Sequence, residues 1–380
     1  MKKYTILVFL ICFSSLLGNF SSKESIKLIL SSNVNGETDP CGWKKRPLGG
    51  LARKSTIIKE NKNQGYEVLV ADAGNLFFKK DKISPGVTME TSKETAKIIV
   101  ESFNKIGCDA FSPSSHDFAG GFDFLKELEK DSKFPFISAN IFGKYGEKIF
   151  EPYVIVEKQG KKIGFIGLTS DFLNEDIKVK DPFKILNELS NELSKKTDMI
   201  ILLFNASEKD LNILKSKKYP IDLAVRSRSN LPPAISKDGG NYDIPIFSVG
   251  MRGKYLFNFD IKIGNKENDF IDLILIQSKL EKTNKFLENY INVGESIDLN
   301  IEFKDNPKIL ENINKNMDQK EKMENIINNK INYFSFTKIA LDKNINDDIT
   351  ILNIIDLGKE KINTLYGPLP PEKGHEGHNH

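Results

Sequence analysis

From about Ser25 to Gly264, short apolar and β-branched runs alternate with stretches whose apolar residues recur every three to four positions. That alternation is the feature that most limits the chain, because it is satisfied by a layered α/β fold and by few others. Residues 26–31, 67–71, 110–112, 136–138, 153–157, 162–169, 199–204, 223–225, 246–250 and 255–263 read as strands, and 51–61, 92–106, 122–130, 182–196 and 209–217 as helices. Gly, Asn, Ser and Asp crowd the segments after the strands, the place where α/β folds usually carry function. The apolar runs at 199–204 and 270–276 are strand-sized and too short to cross a bilayer.

Beyond Gly264 the chain turns to Lys, Asn, Glu and Ile, with helical spacing at 279–292 and 308–329, a strand-like 331–341, and a last helix near 347–363 opened by Asn346-Asp347-Asp348. This reads as an α-rich C-terminal region over 265–366, followed by a tail, 367–380, without apolar periodicity and predicted to be disordered. At the other end, Met1-Lys2-Lys3 and the apolar run 6–17 have the form of a secretory signal over 1–22, with small residues Gly18, Ser21 and Ser22 as cleavage points. A lipoprotein signal using Cys12 is the rival reading, weakened because Leu10-Ile11-Cys12 lacks a small residue before the Cys. The expected location is the periplasm or cell envelope, with no membrane span in the mature chain.

The 55 Lys and Arg nearly balance the 52 Asp and Glu and are interspersed. Nucleic acid is therefore not an expected partner. Cys41 and Cys108 remain after signal removal, in a compartment where a disulfide persists if it forms; sequence leaves open whether they pair.

The strand-end segments carry the chemistry. Residues Leu28-Ile29-Leu30-Ser31-Ser32-Asn33-Val34-Asn35-Gly36, Leu48-Gly49-Gly50-Leu51-Ala52-Arg53, Val70-Ala71-Asp72-Ala73-Gly74-Asn75-Leu76-Phe77, Ser114-Ser115-His116-Asp117-Phe118 and Phe134-Pro135-Phe136-Ile137-Ser138-Ala139-Asn140-Ile141 stand in order, with Ile163-Gly164-Phe165-Ile166-Gly167-Leu168-Thr169 and Ile221-Asp222-Leu223-Ala224-Val225 downstream. Together these segments resemble the calcineurin-like metallophosphoesterases, in particular the 5'-nucleotidase and UDP-sugar hydrolase branch. The resemblance implies a four-layer α/β/β/α sandwich over 23–264. It also implies two divalent metals about 3.5–4 Å apart, held by Asp, His and Asn side chains and clamping an in-line displacement.

At those ligand positions this chain differs. Where the resemblance calls for D-x-H stands Asn33-Val34-Asn35, and Gly74-Asn75 replaces G-D, although Asp72 precedes it. Ser114-Ser115-His116-Asp117 stands for G-N-H-E and keeps the His while Ser115 takes the Asn position. Asn205 replaces a His, and 226–230, with Arg226, Arg228 and Asn230, replaces G-H-x-H. Neutral amides are poor substitutes for the carboxylates and imidazoles that hold divalent ions. The chain has four histidines, and three of them, His375, His378 and His380, lie in the tail, so His116 is alone in the body. In the family this His is oriented by an acid where Ala119 stands, so His116 is only a residual catalytic candidate. No cofactor is expected in the body; the tail histidines, with Glu376, are candidates for a loose divalent metal.

Arg226, Arg228 and Arg53 are candidates for an anion site, since guanidinium forks fit phosphate and carboxylate. Cys41-Gly42-Trp43 resembles a divergent group of UshA-like proteins, also described as selenoproteins, in which a Cys-Gly-Cys or Cys-Gly-selenocysteine stands at this point and the metal loops are degraded. Trp43 removes the redox pair and leaves Cys41 alone or with Cys108. Three functions follow as expectations. The first is an exported pseudo-phosphoesterase binding an anionic small molecule or an envelope protein. The second is a phosphoric-ester hydrolase with an atypical or mononuclear metal site, and the third a thiol role at Cys41.

Overall fold

The computed structural model describes residues 24–42, 46–228, 232–236, 244–265, 267–290 and 299–367. The signal-like segment, Trp43, Asn230 and the tail histidines lie outside the described residues. Two compact units emerge, one of residues 26–260 with 336–380, the other built on 261–335.

In the larger unit the alternating pattern becomes two sheets with helices outside them, the α/β/β/α order. In the first sheet Ile26–Ser31 and Glu67–Asp72 run parallel, with Ser31 level with Asp72, and Ala110–Phe111 joins beyond. In the second, Met199–Asn205 lies parallel between Lys161–Thr169 and Leu223–Ser227, and Tyr153–Lys158 closes one edge antiparallel. Nearly every residue of the central strands is buried, as expected for sheets covered on both faces. The sheets meet through aromatic rings: Phe247 of the second stands against Phe257 and Phe259 of the first with centroids 5.1 and 4.7 Å apart.

Helices Leu51–Asn63, Val87–Ile106 and Phe122–Asp131 cover the first sheet, and Pro182–Leu193 and Glu208–Ser216 cover the second. The last helix, Ile349–Tyr366, belongs to the larger unit rather than to a separate C-terminal piece. Its Ile351, Ile355 and Ile362 enter the same apolar core as Ile58 and Ile99, and Gly358 lets its backbone come close to Ile98. The expected α-rich region is thus divided, because the final helix buries its apolar stripe in the larger core.

In the smaller unit, helices Leu273–Glu288 and Pro307–Asn328 pack together. The strand-sized run at 270–276 is only briefly extended. Asp272 accepts from Leu275 N at 2.9 Å and starts the helix there, earlier than the spacing from 279 suggests. Asn332 organises the turn, accepting from Gly264 N at 2.8 Å and donating to the carbonyls of Asn265 and Asn268.

Candidate functional site

Because Ser31 is level with Asp72 and Asn205 with Ser227, the loops leaving these strands start side by side. They are stitched backbone to backbone: Asn33 N to Gly74 O at 2.9 Å, Asn35 N to Asn75 O at 2.8 Å, and Gly253 N to Asn33 O at 3.1 Å. Six described non-glycine residues have positive φ, and five of them, Asn33, Asn35, Asn75, Arg228 and Arg252, lie in this assembly. Asn tolerates the left-handed region better than most residues, whereas Arg does not, and such strain gathers at functional sites. Asn35 and Gly36 are consecutive left-handed residues in a turn closed by Glu37 N to Val34 O at 3.2 Å, so Asn-Gly there is also turn chemistry.

The amide orientations are set by backbone donors. Arg228 N–H donates to one side-chain atom of Asn33 at 3.1 Å, so that atom is Oδ1. Its other donor at 3.0 Å must then be Asn75 Nδ2, which leaves Asn75 Oδ1 to accept from Ser114 Oγ at 2.7 Å. Asn33 Nδ2 completes the set by donating to Gly250 O at 2.8 Å. All three residues are buried. The side-chain atoms that ligands would turn toward a metal thus bond to each other.

The same logic fixes His116. Arg252 N donates to Asn35 Oδ1 at 3.3 Å, so Asn35 Nδ2 faces His116 Nδ1 at 3.2 Å and the imidazole accepts there. The ring proton therefore sits on Nε2 in the neutral form. Burial pulls the His116 pKa down, reinforced by Arg228 and opposed by a Phe78 backbone hydrogen bond and Asp81.

Two buried carboxylates support the loops from below. Asp117 accepts from Leu76 N at 2.7 Å, Phe77 N at 3.0 Å, and Asn75 N and Ser114 N at 2.9 Å. Burial raises its pKa to about 6. Asp72 accepts from Ser31 Oγ at 2.6 Å and Gly74 N at 3.0 Å, and Lys54 Nζ donates to the same Ser31 Oγ at 2.7 Å. Sequence reasoning missed Ser114, Asp117, Lys54, Glu37 and Arg252 as members of this assembly. The capping-box spacing of Ser114 and Asp117 was a usable signal for those two.

The remaining candidates scatter. Arg226 is buried, with Nε on Ala206 O at 3.1 Å and NH2 on Glu208 at 2.7 Å. Arg53 is buried too, reaching Leu341 O at 3.0 Å and Asp347 at 3.5 Å. Both guanidinium groups are thus committed inside the fold. Arg228 alone is exposed at the loops, its side chain touching Asp171 O at 3.3 Å. Asn205 donates to Ser227 Oγ at 2.8 Å, while its buried Oδ1 has no protein partner. Ser115 is half-buried and opens the short turn Ser115–Phe118. Cys41 and Cys108 are not joined in a disulfide, and burial pushes the Cys108 pKa strongly up, the opposite of a reactive thiolate.

The residues present do not fit a dinuclear divalent centre. The amide oxygens of Asn33 and Asn75 already accept from protein donors and His116 Nδ1 accepts from Asn35. Among the described residues no group of three or more His, Cys, Asp or Glu is arranged to hold an ion.

No family model matches the chain. A 5'-nucleotidase of Vibrio cholerae is 32% identical over 277 residues, covering 61% of this chain and 48% of that protein. Protein UshA of Salmonella pullorum is 32% identical over 165 residues, covering 42% of this chain and 28% of that protein. The matches therefore span less than half the length of these relatives. The solved calcineurin-like phosphoesterase YfkN of Bacillus subtilis superposes with a TM-score of 0.61 over 90% of this chain and 98% of that one, at 17% identity, which speaks for the fold. The chain is thus similar in sequence to UshA and to 5'-nucleotidases over part of their length, and it shares the fold of the calcineurin-like phosphoesterase YfkN.

Proposed function

We propose that this chain is an exported pseudo-phosphoesterase of the cell envelope, one that keeps the strand-end loops of its family and binds an anion or a protein partner there without hydrolysing it. The observation that carries the reading is the Asn33–Asn75 amide pair at 3.0 Å, in which Asn33 also accepts from Arg228 N and donates to Gly250 O, and Asn75 Oδ1 accepts from Ser114 Oγ. An ion at that point would have to break these bonds and would gain neutral ligands in return. His116 adds to it, since its Nδ1 is held as an acceptor by Asn35 and cannot be the protonated atom. Of the three arginine candidates, Arg228 is the one whose guanidinium faces solvent, so an anion would meet it first. Export is supported by the signal-like start, and no described helix is long and apolar enough to cross a membrane.

The test is a phosphoesterase assay of the purified chain on nucleotides and on an aryl phosphate, with Mn2+, Co2+, Zn2+ or Mg2+ supplied. The expected result is no turnover above buffer with any of them. Metal-dependent turnover that disappears in His116→Ala would sink the proposal and establish a hydrolase.

A further inference from the structure

Lys54 is the one lysine of the helix Leu51–Asn63 whose side chain is driven fully inward, with 3% of the residue exposed. An ammonium group has three donors, and burying it with any of them unmatched is costly. One donor reaches Ser31 Oγ at 2.7 Å, the hydroxyl that in turn donates to Asp72 Oδ2 at 2.6 Å. The Phe103 ring takes another side of the group, with Nζ 4.1 Å from the centroid. Lys54 also lines a cavity of about 10 Å³, whose other polar walls are Ser31, Glu37 and Tyr255 and whose remaining walls include Val34, Leu51 and Leu256. Glu37 is buried as well, and one carboxylate oxygen receives Arg252 Nε at 2.9 Å and NH2 at 2.7 Å, with Lys79 Nζ at 3.4 Å from the same atom.

We propose that this cavity is a binding site for one ordered water molecule, bridging Lys54 to Glu37 and joining Asp72, Ser31, Lys54, Glu37 and Arg252 into a single buried charge network. Its volume is at the lower limit for a water, roughly 10–15 Å³, and its four polar side chains are enough for the two to four partners such a water needs. The network runs from the end of the first-sheet strand to the Arg252 loop, whose backbone N–H holds Asn35. Lys54 is thus the fixed internal cation beneath the loops, in a fold whose relatives are described as metallophosphoesterases, and this stands whether or not the chain turns over a phosphoester. Burial pushes the Lys54 pKa down and that of Asp72 up, and the charge of each opposes the shift of the other.

The test is a double-mutant cycle on the full chain, with Lys54→Met, Glu37→Gln and both together, read as melting temperature. Each single variant is expected to lower Tm by more than about 4 °C, and the double variant by at least about 2 °C less than the sum, although the two side chains make no direct hydrogen bond. Additive losses would overturn the bridge. Should Lys54→Met fail to fold, a high-resolution crystal structure of the unaltered chain decides. A solvent peak within about 2.7–3.2 Å of both Lys54 Nζ and the Glu37 carboxylate is expected, and the absence of such a peak rejects the site.

Discussion

Two buried aspartates, Asp117 at the loop centre and Asp348 at the start of the last helix, hold their surroundings together in opposite ways. Asp117 is surrounded by four backbone N–H groups, with no cation bonded to it among the described residues, and burial raises its pKa to about 6. Asp348 accepts from Thr350 N at 3.0 Å, from Ser55 Oγ and from Lys59 at 2.7 Å, anchoring the helix Ile349–Tyr366 to the helix Leu51–Asn63. Burial raises the Asp348 pKa, but Lys59, Ser55 and Thr350 outweigh it and hold the carboxyl below its usual range. The comparison teaches that the Asp117 carboxylate at the loop centre is held by neutral backbone donors, whereas the carboxylate at the helix junction is held by a cation as well.

The largest expected effect follows from removing the Asp117 carboxylate. Asp117→Ala leaves the N–H groups of Asn75, Leu76, Phe77 and Ser114 without their acceptor and should cost about 4 kcal/mol or more of unfolding free energy. A loss below 1 kcal/mol in denaturant titration would show that these bonds do not organise the loops.

Next comes Asn75→Asp, which reinstates a family ligand. The new oxygen would replace the Nδ2 that donates to Asn33 Oδ1 at 3.0 Å and would face that oxygen directly. A loss of about 3 kcal/mol is expected, and added Mn2+ should leave it in place. Recovery of stability with Mn2+ would mean that the loops still accept an ion, and the contrast between the two regions would fail.

The pH dependences should differ in sign. With its folded pKa near 6, Asp117 binds a proton more tightly folded than unfolded. Its contribution therefore falls as pH rises from about 4 to about 6, by up to about 3 kcal/mol. Asp348, with a lowered folded pKa, contributes fully above the ordinary carboxylate range and loses that contribution as pH falls through its folded value. Comparing wild type with Asp117→Asn and with Asp348→Asn across pH 3–7 isolates each slope; slopes of the same sign would refute the contrast.

A smaller loss, about 2 kcal/mol, is expected for Asp348→Ala, mostly from the cap and the buried Ser55 bond, since Lys59 is half exposed. Smallest of all, Arg228→Ala should change stability by less than about 0.5 kcal/mol while abolishing any phosphate-dependent rise in Tm. An unaltered phosphate response in that variant would remove Arg228 from the anion reading.

Much of this was legible in the sequence because strands and their terminal loops occur in order. The parallel strands Ile26–Ser31, Glu67–Asp72 and Met199–Asn205 begin and end within a residue or so of the apolar runs. The expected strand at 136–138 is reduced to isolated bridges of Phe136 with Phe111 and of Ile137 with Glu151, because no neighbour runs alongside for more than one residue. The positions of the missing ligands were readable, but how the replacements bond was not. Asn33 and Asn75 are 42 residues apart, and Asn33 and Arg228 are 195 apart. Lys54 is one of three lysines in the helix Leu51–Asn63, and only the packing of Phe103 and Ser31 shows that it points inward. Arg226 and Arg53 were read as anion-facing on residue type alone, which cannot reveal that Glu208 and Leu341 O already hold them.

The central claim is that amides bonded to one another stand where the family's ions would be. It is tested most directly by the metal content of the purified full-length chain with His375, His378 and His380 replaced by Ala, measured by elemental mass spectrometry after exposure to Mn2+ and Zn2+ and removal of the excess. Well under one equivalent per chain is predicted, and two tightly held equivalents of transition metal would contradict the account.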